Sequence, residues 1–119
     1  MALIVGNWKM NGLKDGLGEA RAIAQGAASI GEDRHQLVIC PPATSLMIFS
    51  EVLKATPVFT GGQDCHPEVS GAHTGRISAE MLADAGASYC IVGHSECRDE
   101  LGDNDEILSL KVKAVLRAG

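Results

Sequence analysis

The 119 residues suffice for one compact domain and not for two ordinary ones, and a formal charge of −5 leaves no clustered basic face for a nucleic-acid backbone. The composition is 45% apolar but only 3% aromatic, which suits layered α/β packing better than an aromatic-rich sandwich. An acidic total still allows a small anion to bind, because the local field around a single lysine decides that, not the net charge.

In chain order, ALIVGNW reads as a first strand, and the next segment sets Leu13, Leu17, Ala20, Ala24, Ala27 and Ile30 three and four residues apart. That spacing predicts a helix, weakened by Gly16, Gly18 and Gly26. QLVIC is a second strand closed by Pro41 and Pro42, followed by a helix over TSLMIFSEVLKA with Leu46, Phe49, Val52 and Leu53 on one face. PVFTGGQD makes a short third strand running into a glycine-rich loop, with TGGQD a tight backbone turn in preference to a phosphate cradle. DCHPEVSGAHTGRI is long for a connection inside an α/β unit, and such loops tend to carry function or to meet a partner. Ser78 caps a short helix, AEMLADA, that stops at Gly86, and SYCIVGH is the fourth strand. Asn104 caps DEILSLKVKAVLRAG, whose stripe is Leu108, Val112, Val115 and Leu116 and whose charge order suits the helix dipole.

Four strand–helix units in strict alternation imply parallel strands with right-handed crossovers, either in a doubly wound sheet or in an arc of a β/α barrel. Cys40, Cys65, Cys90 and Cys97 form no C-x-x-C pair and read as reduced thiols, not as a disulfide framework or a zinc site. MALIV is too short and lacks the basic lead of a signal peptide, and no stretch reaches the roughly 18 apolar residues of a membrane span. The expectation is a cytoplasmic protein with no membrane or nucleic-acid partner.

In a parallel βα repeat, chemistry gathers where the strands end, so the residues that close each apolar run matter most. Alternation places Leu3, Val5, Asn7 and Lys9 on one face of the first strand and Ile4, Gly6, Trp8 and Met10 on the other. Lys9 then stands at a barrel mouth or, in the blander reading, reaches into solvent. His94 ends the fourth strand, and a helical turn over SECR would aim free backbone N–H groups at its imidazole and favour the neutral ring. As a lone histidine it reads equally as a satisfied structural group. Glu96 shares the inward face with His94 if extended geometry persists, and otherwise is a surface carboxylate paired with a nearby cation. His35, His66 and His73 lie in loop-like sequence without ligand spacing, and no catalytic role falls to them.

GNWKMNG, GGQDCHPEVSGAHTGRIS and IVGHSECRDELGDNDEILSLKVKAVLRAG, in that order and at those separations, resemble the triosephosphate isomerase family across essentially the whole chain. The resemblance implies half of a (β/α)8 barrel made of four βα units, and an aldose–ketose isomerase that interconverts dihydroxyacetone phosphate and glyceraldehyde 3-phosphate without a cofactor or metal. It assigns Asn7 to substrate contact, Lys9 to charge stabilisation of the substrate and the enediolate, His94 to the neutral electrophile, and Glu96 to a less settled active-site role. Thr74, flanked by His73 and Gly75, matches the threonine that such enzymes insert into the neighbouring subunit, so the long loop is expected to be a homodimer arm. Two positions depart from the family. Cys97 stands where a first arginine is usual, and Asp103 where a glutamate is usual.

Such a barrel takes about 250 residues. Residues 1–119 are therefore expected to be a single N-terminal half-barrel, truncated after the fourth helix, without the family's base glutamate, lid and phosphate loops. Its concave face and sheet edges are expected to drive self-association. Two other functions stay open: a non-catalytic self-associating half-barrel, and a binder of phosphorylated sugars.

Overall fold

The computed structural model describes residues 2–31 and 35–119; Met1, which opens the MALIV run, and residues 32–34 lie outside the described residues. Four short apolar runs become β1 (Ala2–Asn7), β2 (His35–Cys40), β3 (Val58–Gly62) and β4 (Tyr89–Cys90). They pair in parallel in the order β1-β2-β3-β4. Each strand lies beside its neighbour in sequence and the order never reverses, so the sheet is the arc of a barrel and not a doubly wound sheet. The helices between and after the strands are α1 (Leu17–Ile30), α2 (Ala43–Leu53), α3 (Ala79–Asp84), α4 (Ser95–Glu100) and α5 (Asp105–Ala118).

Register decides which face is covered. Ile39 and Val58 pack with Ala20, Ala24, Phe49 and Leu53 from α1 and α2, and Trp8 and Leu37 join them. A second cluster unites Leu46, Cys65, Ala79, Leu82 and Ala114, with Cys90 and Val115 against it. On the other face, Leu3 (54% exposed), Val5 (43%) and Phe59 (40%) line the hollow of the arc.

Several elements differ from the sequence expectation. TGGQD is not a tight turn: Gly61 and Gly62 belong to β3 and pair with Tyr89 and Cys90. Glycine is needed there for close packing, since a Cβ on Gly61 would lie 2.7 Å from the Cys40 sulfur and one on Gly62 2.5 Å from Leu82 Cδ1. His35 is not in a loop but opens β2. SYCIVGH contributes only Tyr89 and Cys90 to the ladder, because β3 ends at Gly62 and no further strand among the described residues flanks β4. α1 begins four residues after Leu13, which, like Ile30, is left exposed.

The α5 stripe is also rotated. Val112 and Leu116 face outward, and the buried residues are Lys111 and Ala114. Lys111 turns inward because two carboxylates await it: its ammonium lies 2.8 Å from Asp64 Oδ1 and 2.5 Å from Asp103 Oδ2. The helix caps follow the sequence. Ser78 accepts from the Met81 N–H and Asn104 from the Ile107 N–H.

Candidate active site

The site sits at the C-terminal edge of the sheet, in a cavity of about 230 Å³ whose lining includes Asn7, Lys9, Gln63, His94 and Glu96. Its first wall is built where β1 stops. Trp8 donates its N–H to the Cys40 carbonyl (3.0 Å) and sets its ring edge-on to Phe49, 5.1 Å between centroids. Strand alternation then ends. Lys9 takes φ of 56°, the left-handed region that side chains rarely adopt, so it leaves the extended strand, yet it lines the same cavity as Asn7. Two side chains hold it there. The Lys9 N–H donates to Asn7 Oδ1 (2.8 Å), and the Gln63 amide donates to the carbonyls of both Lys9 and Cys40 (2.9 Å each).

The second wall comes from the end of β4. Gly93, at φ 70°, bends the chain where a Cβ would lie 2.7 Å from Leu108 Cδ1. The bend leaves His94 as the N-cap of α4, where its Nδ1 accepts from the Glu96 N–H (3.1 Å). That bond leaves Nε2, the nitrogen a substrate would use, without a partner among the described hydrogen bonds.

Glu96 reaches Lys9 by a different route from the one expected. Extended geometry does not persist past His94; Glu96 lies in α4, and its Oε1 still comes within 2.9 Å of Lys9 Nζ. The Lys9 hydrogen bond holds the Glu96 carboxyl below its ordinary value. Both side chains are half exposed, so the pair contributes little to stability, and a ligand can separate them at small cost.

Thr74, His73 and Gly75 are exposed in the long loop and do not line this cavity. The loop is closed at its base by His66, whose N–H donates to the Ile77 carbonyl (2.7 Å), and is braced by His66 and His73 stacked at 3.9 Å. His35, at the start of β2, lies at the opposite end of the sheet from the site.

Sequence reasoning missed Gln63 and the Asp64–Lys111–Asp103 group. The signal for Gln63 was available, since it is the polar residue next to the end of the third strand. Lys111 gave none, because a lysine on an amphipathic helix counts as surface in any hydrophobic pattern. Donor atoms of Asp64, Cys97 and Asp103 lie within 4.8 Å of one another, but the Lys111 ammonium already supplies the cation between the two carboxylates.

The triosephosphate isomerase family model matches residues 2–119. The chain belongs to the triosephosphate isomerase family. It is 56% identical to the triosephosphate isomerase of Afipia carboxidovorans over 98% of this chain and 46% of that protein, and 58% identical to that of a Chelativorans species over the same shares. The crystal structure of triosephosphate isomerase from Bartonella henselae superposes with a TM-score of 0.91 at 47% identity, covering 98% of this chain and 48% of that one. The 119 residues thus span about half the length of these triosephosphate isomerases, and their four strands are half of the TIM barrel. Both departures noted in the sequence fall around Lys111. Asp103 is a direct partner of its ammonium, and Cys97 neighbours Asp64 and Asp103.

Proposed function

We propose that these residues serve the interconversion of dihydroxyacetone phosphate and glyceraldehyde 3-phosphate, as part of a cytoplasmic, glycolytic triosephosphate isomerase that works as a homodimer. The observation that carries this reading is the meeting of Lys9, held in a left-handed conformation, with His94, whose Nδ1 is taken by the Glu96 N–H, and with Glu96 at the mouth of the arc. His94 donates from Nε2 to the substrate carbonyl oxygen and passes the proton between the two oxygens, a use of neutral histidine for which this family is itself the standard illustration. Lys9 exchanges Glu96 for the substrate and stabilises the negative charge that grows on the enediolate. Asn7 fixes the Lys9 backbone and offers its amide to the substrate. Glu96 holds the Lys9 ammonium in the cavity until substrate arrives. Thr74, with His73 and Gly75, forms the arm that enters the neighbouring subunit.

The reading also sets a limit. The carbon-bound proton needs a base, and on this reading the family's base glutamate, lid and phosphate loops belong to the half of the matched triosephosphate isomerases that these 119 residues do not span. A coupled isomerase assay on the 119-residue polypeptide alone is expected to show no turnover. With the second half of the Bartonella henselae enzyme joined to it, turnover is expected, and His94→Gln and Lys9→Met should each lower kcat by about 10²–10³-fold. Near-normal rates in both variants would overturn the roles. Turnover by the isolated half would place the base within it.

A further inference from the structure

Lys9 is the only non-glycine residue with a positive φ among the described residues, and two peptide planes meet at its Cα. In the Trp8–Lys9 plane, the Lys9 N–H donates to Asn7 Oδ1 (2.8 Å) and the Trp8 carbonyl accepts from Asn11 Nδ2 (3.0 Å). In the Lys9–Met10 plane, the Lys9 carbonyl accepts from Gln63 Nε2 (2.9 Å). A side-chain amide thus holds each of these three backbone groups. Asn11 does not line the cavity, and it reaches Lys9 only through the Trp8 carbonyl. Among the described hydrogen bonds no other donor meets that carbonyl.

A left-handed φ is unfavourable for a residue that carries a Cβ. The local way to relieve it is to flip the Trp8–Lys9 plane, which changes ψ of Trp8 and φ of Lys9 together and leaves the chain on either side in place. Such a flip breaks the bonds made by Asn11 and Asn7 but not the Gln63 bond, which belongs to the next plane. Gln63 therefore does not oppose it. Asn11 is held in position to do so by the turn that follows Lys9. Gly12, at φ 102°, brings the chain back over the Trp8 ring, where a Cβ would lie 2.9 Å from Cε3, and a Cβ on Gly16 would lie 3.0 Å from Cζ3 of the same ring. The ring itself is set edge-on to Phe49. Only the nitrogen of the Asn11 amide can face a carbonyl, so the side chain acts there as a donor.

We propose that Asn11 is a positioning residue, whose bond to the Trp8 carbonyl locks the Trp8–Lys9 peptide plane and so keeps the Lys9 ammonium where the substrate meets it. This rests on the role proposed above for Lys9 and deepens it. A flipped plane tilts the Lys9 Cα–Cβ bond, and over the length of a lysine side chain a small tilt becomes a large displacement of the charge that now lies 2.9 Å from Glu96 Oε1.

The test is a double-mutant cycle on the full-length isomerase that carries these residues, with Asn11→Ala, Lys9→Met and the two combined. Asn11→Ala should lower kcat/KM by about 10-fold in the wild-type background and by less than about 2-fold once Lys9→Met has removed the charge it positions. An equal loss in both backgrounds is what a merely structural residue would give and would overturn the proposal, as would a wild-type rate in Asn11→Ala. A near-normal rate in Lys9→Met would overturn the role of Lys9 itself, and the proposal with it. Amide hydrogen exchange gives a readout that needs no turnover. In Asn11→Ala the Lys9 N–H should lose protection while the Trp8 N–H, bound to the Cys40 carbonyl, keeps it. Loss at both or at neither would count against the lock.

Discussion

Lys111 carries its charge with 0% of its surface exposed, and the two carboxylates around it make that possible. Burial pulls its pKa down, but the hydrogen bonds to Asp103 and Asp64 outweigh this and hold it above its ordinary value. Lys111→Met should therefore cost about 3–5 kcal/mol in urea unfolding, because it strands the buried Asp103 beside a hydrocarbon and leaves Asp64 only the more distant Arg76. A loss below about 1 kcal/mol, the range of an exposed pair, would show that water reaches the group. His66 supplies the pH dependence. Desolvation first, then the charges of His73 and Arg76, lower its pKa against a smaller opposing effect of Glu68. The folded state thus binds its proton less readily than the unfolded chain does. The stability due to neutral His66 is complete above about pH 6.5 and is lost as pH falls through the lowered folded value. His73→Phe keeps an aromatic partner and removes one positive charge, so the His66 midpoint, followed by NMR, should rise towards 6.5; an unmoved midpoint would refute the electrostatic share.

The helices show what local sequence can and cannot specify. Ser78 and Asn104 were legible as caps because a cap is a local bond between a side chain and a backbone N–H three residues on. The α5 stripe was not legible, since the burial of Lys111 depends on Asp64, which lies 47 positions away in the chain. β4 was overread for a related reason. IVG is apolar enough for a strand, yet a ladder needs a neighbour, and Gly93 takes the chain out of it. In α1, Gly26 sits in mid-helix with nothing within 4 Å of the position a Cβ would take. Gly26→Ala should stabilise by about 0.5–1 kcal/mol, read as a higher urea midpoint at constant m. No gain would refute the reading that the space beside this glycine is open.

At the scale of the whole molecule, the arc leaves Leu3, Val5 and Phe59 open in its hollow, and β1 and β4 each have one paired side among the described residues. An open ladder edge beside exposed apolar surface favours association. As an isolated polypeptide, the 119 residues should self-associate at micromolar concentration, and light scattering that reports a stable monomer would contradict this. Leu3→Lys with Val5→Glu, placed in the hollow, should weaken that association.

By itself the sequence determined the four βα units, the caps, the family, and the end of the sheet at which Asn7, Lys9 and His94 gather. These follow from periodicity, from bonds between near neighbours, and from motifs whose residues are adjacent in the chain. Only the tertiary structure decided that Lys9 is left-handed, that Gln63 and Asn7 hold it so, that Glu96 reaches it from a helix, and that Lys111 is internal. Each of these joins groups from different βα units. Their energies arise from desolvation and from contacts made only once the strands are in register, and no pattern along a single segment encodes them.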